Sequence, residues 1–141
     1  MKYWIGVQGS THPWIDASDA PLYVVHYPTV RSDQDVYDAH VAIRTIYENT
    51  RGPIAWVVDA SDVRDAPATQ RRIVAEHEAN VRPIAERRCV GLAVVIPNAI
   101  VRGFFTAVTW VSPLSYPHKI FEKRSSAIAW ARAQLATAQG R

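Results

Sequence analysis

The sequence predicts one α/β domain, with a mostly parallel mixed sheet of about five strands and about four helices. Two continuous apolar segments, residues 54–59 and 90–96, have the pattern of strands buried on both faces. Segments with apolar residues three and four apart alternate with them, in the order β-β-α-β-α-β-α-β-α. Single helices between strands favour right-handed crossovers, so the central strands should be parallel. A chain of 141 residues is of single-domain length.

The first two strands should form an antiparallel hairpin. Residues 3–8 predict a short strand, and residues 9–21 are rich in turn formers and predict a loop. Residues 22–27 (LYVVHY) predict the second strand, which Pro28 ends.

The first helix should begin at Ser32 and end before Gly52-Pro53. Ser32 and Asp35 have the spacing of a capping box. The predicted apolar face recurs at helical spacing and consists of Val36, Ala39, Ile43, Ile46 and Tyr47.

The second helix should begin near Asp65-Ala66-Pro67, with Asp65 as the N-cap. Pro83 should kink or interrupt it near its end. Its apolar stripe consists of Ile73, His77, Val81 and Ile84.

Two further helices complete the predicted fold. Asn98 should cap a short third helix, and residues 119–121 predict an edge strand. Ser125 should cap the final helix, whose inner side includes Ile128 and Leu135.

Composition narrows the function classes. The formal charge is +3, but glutamates interleave with the arginines, so a nucleic-acid partner is disfavoured. The single cysteine, Cys89, begins an apolar run and predicts a buried, unreactive thiol. No segment has the length of a signal peptide core or a membrane span, and we expect a cytoplasmic protein.

Three segments between residues 22 and 135 resemble the STAS family, the fold of sulfate-transporter and anti-sigma-factor-antagonist domains. They are PIAWVVDASDV, CVGLAVVIPNAIVRGFF and HKIFEKRSSAIAWARAQL. The first is similar to the family's buried strand that closes in Asp. The second is similar to its strand, Asn/Pro turn and short helix, and the third to its terminal strand and helix. The chain resembles the poorly characterised bacterial STAS-like proteins more than the antagonists themselves.

One departure from the family concerns regulation. Antagonists carry a phosphorylatable serine after an Asp that opens the second helix. Here Ala66 and Pro67 follow Asp65, and neither has a hydroxyl. The phosphorylation switch is therefore not expected at this position, although Ser61 and Thr69 lie nearby.

The resemblance implies a non-catalytic regulatory module that binds a protein partner. The expected docking surface is the loop after Asp59 and the exposed side of the second helix. Its residues are Ser61, Asp62, Arg64, Asp65, Thr69, Arg71 and Arg72. A homodimer through a sheet edge is a further option. We expect no cofactor and no metal.

The alternative is a small-molecule sensor that binds an apolar or anionic ligand beside Trp14, Arg102 and Phe105. Arg102 lies at a predicted helix start, where backbone amides favour anions. Trp14 lies in a polar loop, where an aromatic side chain is typical of a contact site.

Enzymatic readings are weaker. His40 and His77 can be paired as proton shuttle or metal ligands, but two partly buried histidines are the simpler interpretation. The residue types of a catalytic triad are present in Ser61, His77 and Asp59. The triad is nevertheless a weak hypothesis, because Ser61 lacks the flanking glycines of a nucleophile elbow. For Asp59 and Asp62 a structural role in turn formation is favoured over a ligand site at the strand end.

Overall fold

The computed structural model describes residues 12–111 and 113–140. Their elements follow in the predicted order. The strands are β1 (Ile15–Asp16), β2 (Leu22–His26), β3 (Ile54–Asp59), β4 (Cys89–Val95) and β5 (His118–Phe121). The helices are α1 (Asp33–Asn49), α2 (Ala68–Arg88), α3 (Ala99–Val111) and α4 (Arg124–Gln139).

The five strands of the described chain lie in the sheet in sequence order. β1 is antiparallel to β2, and each later pair is parallel. The predicted α/β fold with a mostly parallel mixed sheet and four helices is therefore confirmed. The two apolar segments form adjacent central strands, with Val58 beside Val94 in the register.

The antiparallel neighbour of β2 differs from the prediction. The strand predicted at residues 3–8 lies outside the described residues. Within them, Ile15 and Asp16 pair with β2, in a segment predicted to be a loop. A two-residue strand is too short to show alternation in the sequence. The backbone amide of His26 extends the pairing by donating to the carbonyl of Trp14 at 2.9 Å.

Alternating residues of the strands build two core layers. Side chains such as Tyr23, Ile54 and Trp56 face α1 and α2. Their neighbours Ala55 and Val57 lie on the opposite side of the sheet and pack against α4. α3 lies on the side of α1 and α2, where its Val101 packs against a cluster of buried residues consisting of Val63, Val94 and Ile96.

Small residues let α4 approach the sheet closely. Ala127 and Ala131 of α4 are fully buried on the side of the helix that packs against the sheet. At Gly91 in β4, a Cβ atom would lie 3.1 Å from Cζ3 of Trp130, so the glycine has a steric role there. By contrast, α1 packs mainly against α2, which leaves space between these helices and the sheet.

Two of the four predicted helix caps are confirmed. Ser32 and Asp35 form a capping box at the start of α1. The Oδ1 atom of Asn98 accepts from the amides of Ile100 and Val101 at 2.9 and 3.2 Å. Both side chains reach amides within three residues, so local sequence is sufficient to predict them.

The other two predicted caps are wrong. The N-cap of α2 is Pro67 rather than Asp65, whose carboxylate lies 3.5 Å from the guanidinium of Arg31. The N-cap of α4 is Lys123, so Ser125 lies inside the first turn. Of the two outcomes predicted for Pro83, a kink or an interruption, the interruption is wrong, because α2 continues to Arg88.

In the described part of the chain, no helix combines the length and apolar character needed to cross a membrane.

Candidate functional site

A largely apolar cavity of about 320 Å³ lies between the sheet and the helices α1, α2 and α3. Its floor includes Trp56, Val58, Leu92 and Val94 from β3 and β4. Val58 and Leu92 belong to central strands yet are only half-buried, because they face this space. Small-molecule sites are typically concave and apolar, with a few polar groups.

Gln70 supplies one of those polar groups from the first turn of α2. Its side-chain nitrogen donates to the carbonyl of Arg31 at 3.3 Å and to the carboxylate of Asp33 at 3.2 Å. Because both partners can only accept, the orientation of the amide is fixed. The Oε1 atom is then buried with no hydrogen-bond partner among the described residues. The residue as a whole is only 8% exposed.

His77 lies two turns further along the same wall. Its ring contacts Tyr37 edge-on, with centroids 5.0 Å apart, and lies 5.8 Å from the ring of His40. The Nδ1 atom of His77 is buried and has no hydrogen-bond partner in the described chain. Thus two residues of α2 that line the cavity each carry a buried polar atom whose hydrogen-bonding capacity is unused.

His40, by contrast, is held by Tyr27. The Tyr27 hydroxyl and Nε2 of His40 share a hydrogen bond of 2.5 Å. Burial, with smaller contributions from the charges of His77 and His12, lowers the pKa of His40 to about 4. Burial raises the pKa of Tyr27. Both groups are therefore neutral at physiological pH.

Arg31, Glu78 and Arg82, three charged residues that line the cavity, have partners of opposite charge. Arg31 donates to the carbonyls of Pro28, Thr29 and Asp65, and it faces the Asp65 carboxylate. Glu78 lies 3.7 Å from the guanidinium of Arg82. Its carboxylate also accepts from the hydroxyl of Tyr116 at 3.1 Å. Burial raises the pKa of Glu78. The described part of the wall thus carries no charge without an opposite partner or hydrogen bonds.

Cys89 borders the cavity as a buried thiol. Burial raises the pKa of Cys89 to about 11, so the thiolate is scarcely populated at neutral pH. The prediction that Cys89 is buried is confirmed. Since the thiolate is the reactive form, this residue is a poor nucleophile.

A second cluster lies at the carboxyl ends of β2 and β3, on the face covered by α4. Asp59 is 3% exposed and accepts from the guanidinium of Arg124 at 2.7 Å and from the amide of Ser61 at 2.9 Å. Arg124 also contacts Nδ1 of His26, whose Nε2 lies 2.8 Å from Asp62. Burial alone would raise the pKa of Asp59, but the hydrogen bonds from Ser61 and Arg124 hold it below its ordinary value.

The triad considered from the sequence does not form. Asp59 belongs to the α4 face of the sheet, whereas His77 lies beside the cavity on the opposite face. The histidine that meets Asp59 is His26, its register partner in β2. Among the described residues, no group of three or more His, Cys, Asp or Glu side chains is arranged to hold a metal ion.

The predicted docking residues occupy three different environments. Asp62 belongs to the His26 cluster, with Ser61 beside it. Arg71 lines the cavity. The exposed positions are Arg64, Asp65, Thr69, Arg71 and Arg72.

The alternative ligand set is separated by the fold. Phe105 lines the cavity, but Trp14 and Arg102 do not. Trp14 packs on Tyr27, with ring centroids 5.1 Å apart. Arg102 donates to the carbonyls of Ile96 and Pro97 at 3.1 and 3.0 Å, so its guanidinium braces the end of β4.

Sequence reasoning missed Gln70 as a site residue. Its position, seven residues before His77, places both on one side of α2. A polar residue at an inward position of an amphipathic helix was the available signal. No sequence signal indicates the cavity itself, because the cavity depends on the distance between the sheet and the helices α1 and α2.

Comparison with known proteins finds no matching family model, curated protein or solved structure.

Proposed function

We propose that this chain is a non-catalytic binding protein whose cavity receives a small, mainly apolar ligand. The observation that carries the proposal is the cavity wall, which is largely apolar but holds two buried polar atoms without partners, on Gln70 and His77. Leaving a buried polar atom unsatisfied costs about 1–3 kcal/mol. A ligand that satisfies these atoms recovers that cost on binding.

The state of the ionisable groups supports binding over catalysis. The imidazole of His40 is neutral and bonded to Tyr27, and Cys89 keeps its proton. Glu78 is shared between Tyr116 and Arg82. General acid–base catalysis favours groups whose pKa lies near the working pH, and these shifts move His40 and Cys89 away from it.

Thermal unfolding of the purified chain with biphenyl tests the proposal. Biphenyl should raise the melting temperature in a concentration-dependent way, because a ligand of the native state stabilises it by mass action. Val58→Phe places extra volume on the cavity floor and should abolish the shift. Val30→Phe adds the same volume at a position that is 88% exposed and should leave the shift intact.

The proposal fails if Val58→Phe retains the full shift, since biphenyl would then bind elsewhere. It fails equally if neither biphenyl nor its hydroxylated derivatives stabilise the unmodified chain.

We infer a second candidate function, regulatory docking of a protein partner, as the STAS resemblance implies. The specific observation in its favour is a pair of exposed aliphatic side chains, Val30 and Ile100, which are 88% and 73% exposed. They follow β2 and β4, so they flank the loop after β3 at one edge of the sheet. Exposed apolar groups that form a contiguous patch are typical of contact surfaces.

Crosslinking in the native cytosol tests this second function. We expect one partner to be captured by the unmodified chain and lost with Val30→Asp or Ile100→Asp. Val41→Asp serves as the control, because Val41 is an exposed valine on α1 outside this edge. Equal capture by all variants would contradict docking at this surface.

A further inference from the structure

The two unpaired atoms on α2 restrict what the cavity can bind. We propose that the ligand is an uncharged, elongated molecule with an apolar body and a hydroxyl group near each end. One hydroxyl would meet Oε1 of Gln70 and the other Nδ1 of His77. The inference rests on the proposed ligand-binding function and adds the ligand's chemical class.

The Gln70 end requires a hydrogen-bond donor. Because its side-chain nitrogen is occupied by Arg31 and Asp33, only the carbonyl oxygen is unpaired. An ionised carboxylate, ether or ketone has no hydrogen to donate to it. A hydroxyl donates, and a hydroxyl can also either donate to or accept from the imidazole nitrogen of His77.

The length of the ligand follows from helix geometry. Gln70 and His77 are seven residues apart on α2, which corresponds to about 10 Å along the axis. A cavity of about 320 Å³ has room for roughly ten water volumes, or about ten to fifteen non-hydrogen atoms. A rigid two-ring skeleton with a hydroxyl at each end meets both conditions.

The carboxylate partners of Arg31 and Arg82 disfavour anionic ligands at these two positions of the wall. Arg31 is bonded to three carbonyls and faces Asp65, and its side chain is 5% exposed. Arg82 faces Glu78. An ion that met these groups would lose its hydration and would have to compete with their existing partners, which is unfavourable.

Aromatic residues favour a flat body for the ligand. Tyr47, Trp56 and Tyr116 line the cavity together with Phe105. Aromatic pairs gain from offset or edge-on contacts in addition to the burial of their area.

Titration calorimetry with four biphenyl compounds tests the inference on the full chain. The series is biphenyl, its mono-para-hydroxy derivative, its di-para-hydroxy derivative and biphenyl para-carboxylate. Each hydroxyl should tighten binding about five- to ten-fold, because it pairs with a buried unsatisfied atom. The carboxylate should bind more weakly than biphenyl.

Two variants locate the hydroxyls. Gln70→Leu and His77→Phe should each remove the gain from one hydroxyl, so that the diol binds no better than the mono-hydroxy compound. Gln139→Leu makes the same change as Gln70→Leu at an exposed position near the end of α4 and should keep the full preference.

The outcomes separate the two proposals. If none of the four compounds binds, the proposed function fails and the inference fails with it. If the compounds bind with no preference for hydroxyls, or if the carboxylate binds best, the cavity is a binding site but the inference is wrong. The ligand series on the unmodified chain decides this even if a variant does not fold.

Discussion

Replacing Arg124 with alanine should destabilise the protein, because Asp59 would remain buried without its charged partner. The Asp59 side chain is 5% exposed, and its carboxylate accepts hydrogen bonds from only two described donors, the guanidinium of Arg124 and the amide of Ser61. The substitution removes the only positive charge among these donors. A buried carboxylate that loses its charged partner is strongly disfavoured.

The expected loss is about 2 kcal/mol. Hydrogen bonds that involve a charged group contribute about 1.5–3 kcal/mol. The side chain of Arg124 is 45% exposed, so solvent screening places the value in the lower part of that range. For a chain of this length, a loss of that size lowers the melting temperature by about 5–8 °C.

The loss should depend on pH in a defined direction. Because the folded pKa of Asp59 is lowered, its ionisation stabilises the protein above the unfolded pKa of about 3.9. This contribution is lost as the pH falls through the folded pKa. Without Arg124 the folded pKa rises and the contribution shrinks. The gap between the unmodified chain and Arg124→Ala should therefore be widest near pH 7 and narrow as the pH falls below about 4.

Urea unfolding at several pH values measures this gap, and Arg132→Ala supplies a matched control. Arg132 belongs to the same helix and forms a 2.7 Å ion pair with Asp19, but both side chains are more than half exposed. Its loss should cost less than about 1 kcal/mol. The reasoning is refuted if the two variants are equally stable at pH 7, or if the Arg124→Ala gap does not change with pH.

Three further measurements address the interior. Proton NMR should show His40 titrating near pH 4, and stability should fall as the pH drops from about 6.5 towards 4, because the unfolded state takes up the proton first; a midpoint near 6.5 contradicts this. Tyr47→Phe leaves the indole N–H of Trp56 without its 2.8 Å partner and should cost about 1–3 kcal/mol in urea unfolding, whereas no loss would mean that another acceptor replaces the hydroxyl. Gly91→Val pushes against Trp130 and should lower stability by about 1–3 kcal/mol, and an unchanged melting temperature would show that α4 can move away.

The sequence predicts the sheet well because its central strands are uniformly apolar. Residues 54–59 form β3 at the predicted bounds, and β4 differs from its prediction by one residue at each end. Whether a helix cap can be predicted depends on how far along the chain its bonding partners lie. Ser32 and Asn98 bond to amides within three residues, whereas Asp65 is drawn to Arg31 across the loops. A contact between segments that are distant in the sequence cannot be predicted from the spacing of residues within either segment.

The candidate site is less predictable than the sheet, because its contacts join residues that are distant in the sequence. The loop after Asp59 was singled out from the sequence, but its partners His26 and Arg124 come from other elements. The rings of His40 and His77, for which the sequence favours two separate, partly buried histidines, lie 5.8 Å apart. The unused atom on Gln70 became visible only through its bonds to Arg31 and Asp33.

The ordering of the strands has a consequence for synthesis on the ribosome. Since each strand pairs with its neighbour in the chain, the sheet can grow one unit at a time as residues emerge. α4, however, is made after the entire sheet whose second face it covers. A nascent chain halted after β5 would expose Ala55, Val57 and Ala93 to solvent, and exposed apolar surface of this kind favours aggregation until α4 covers it.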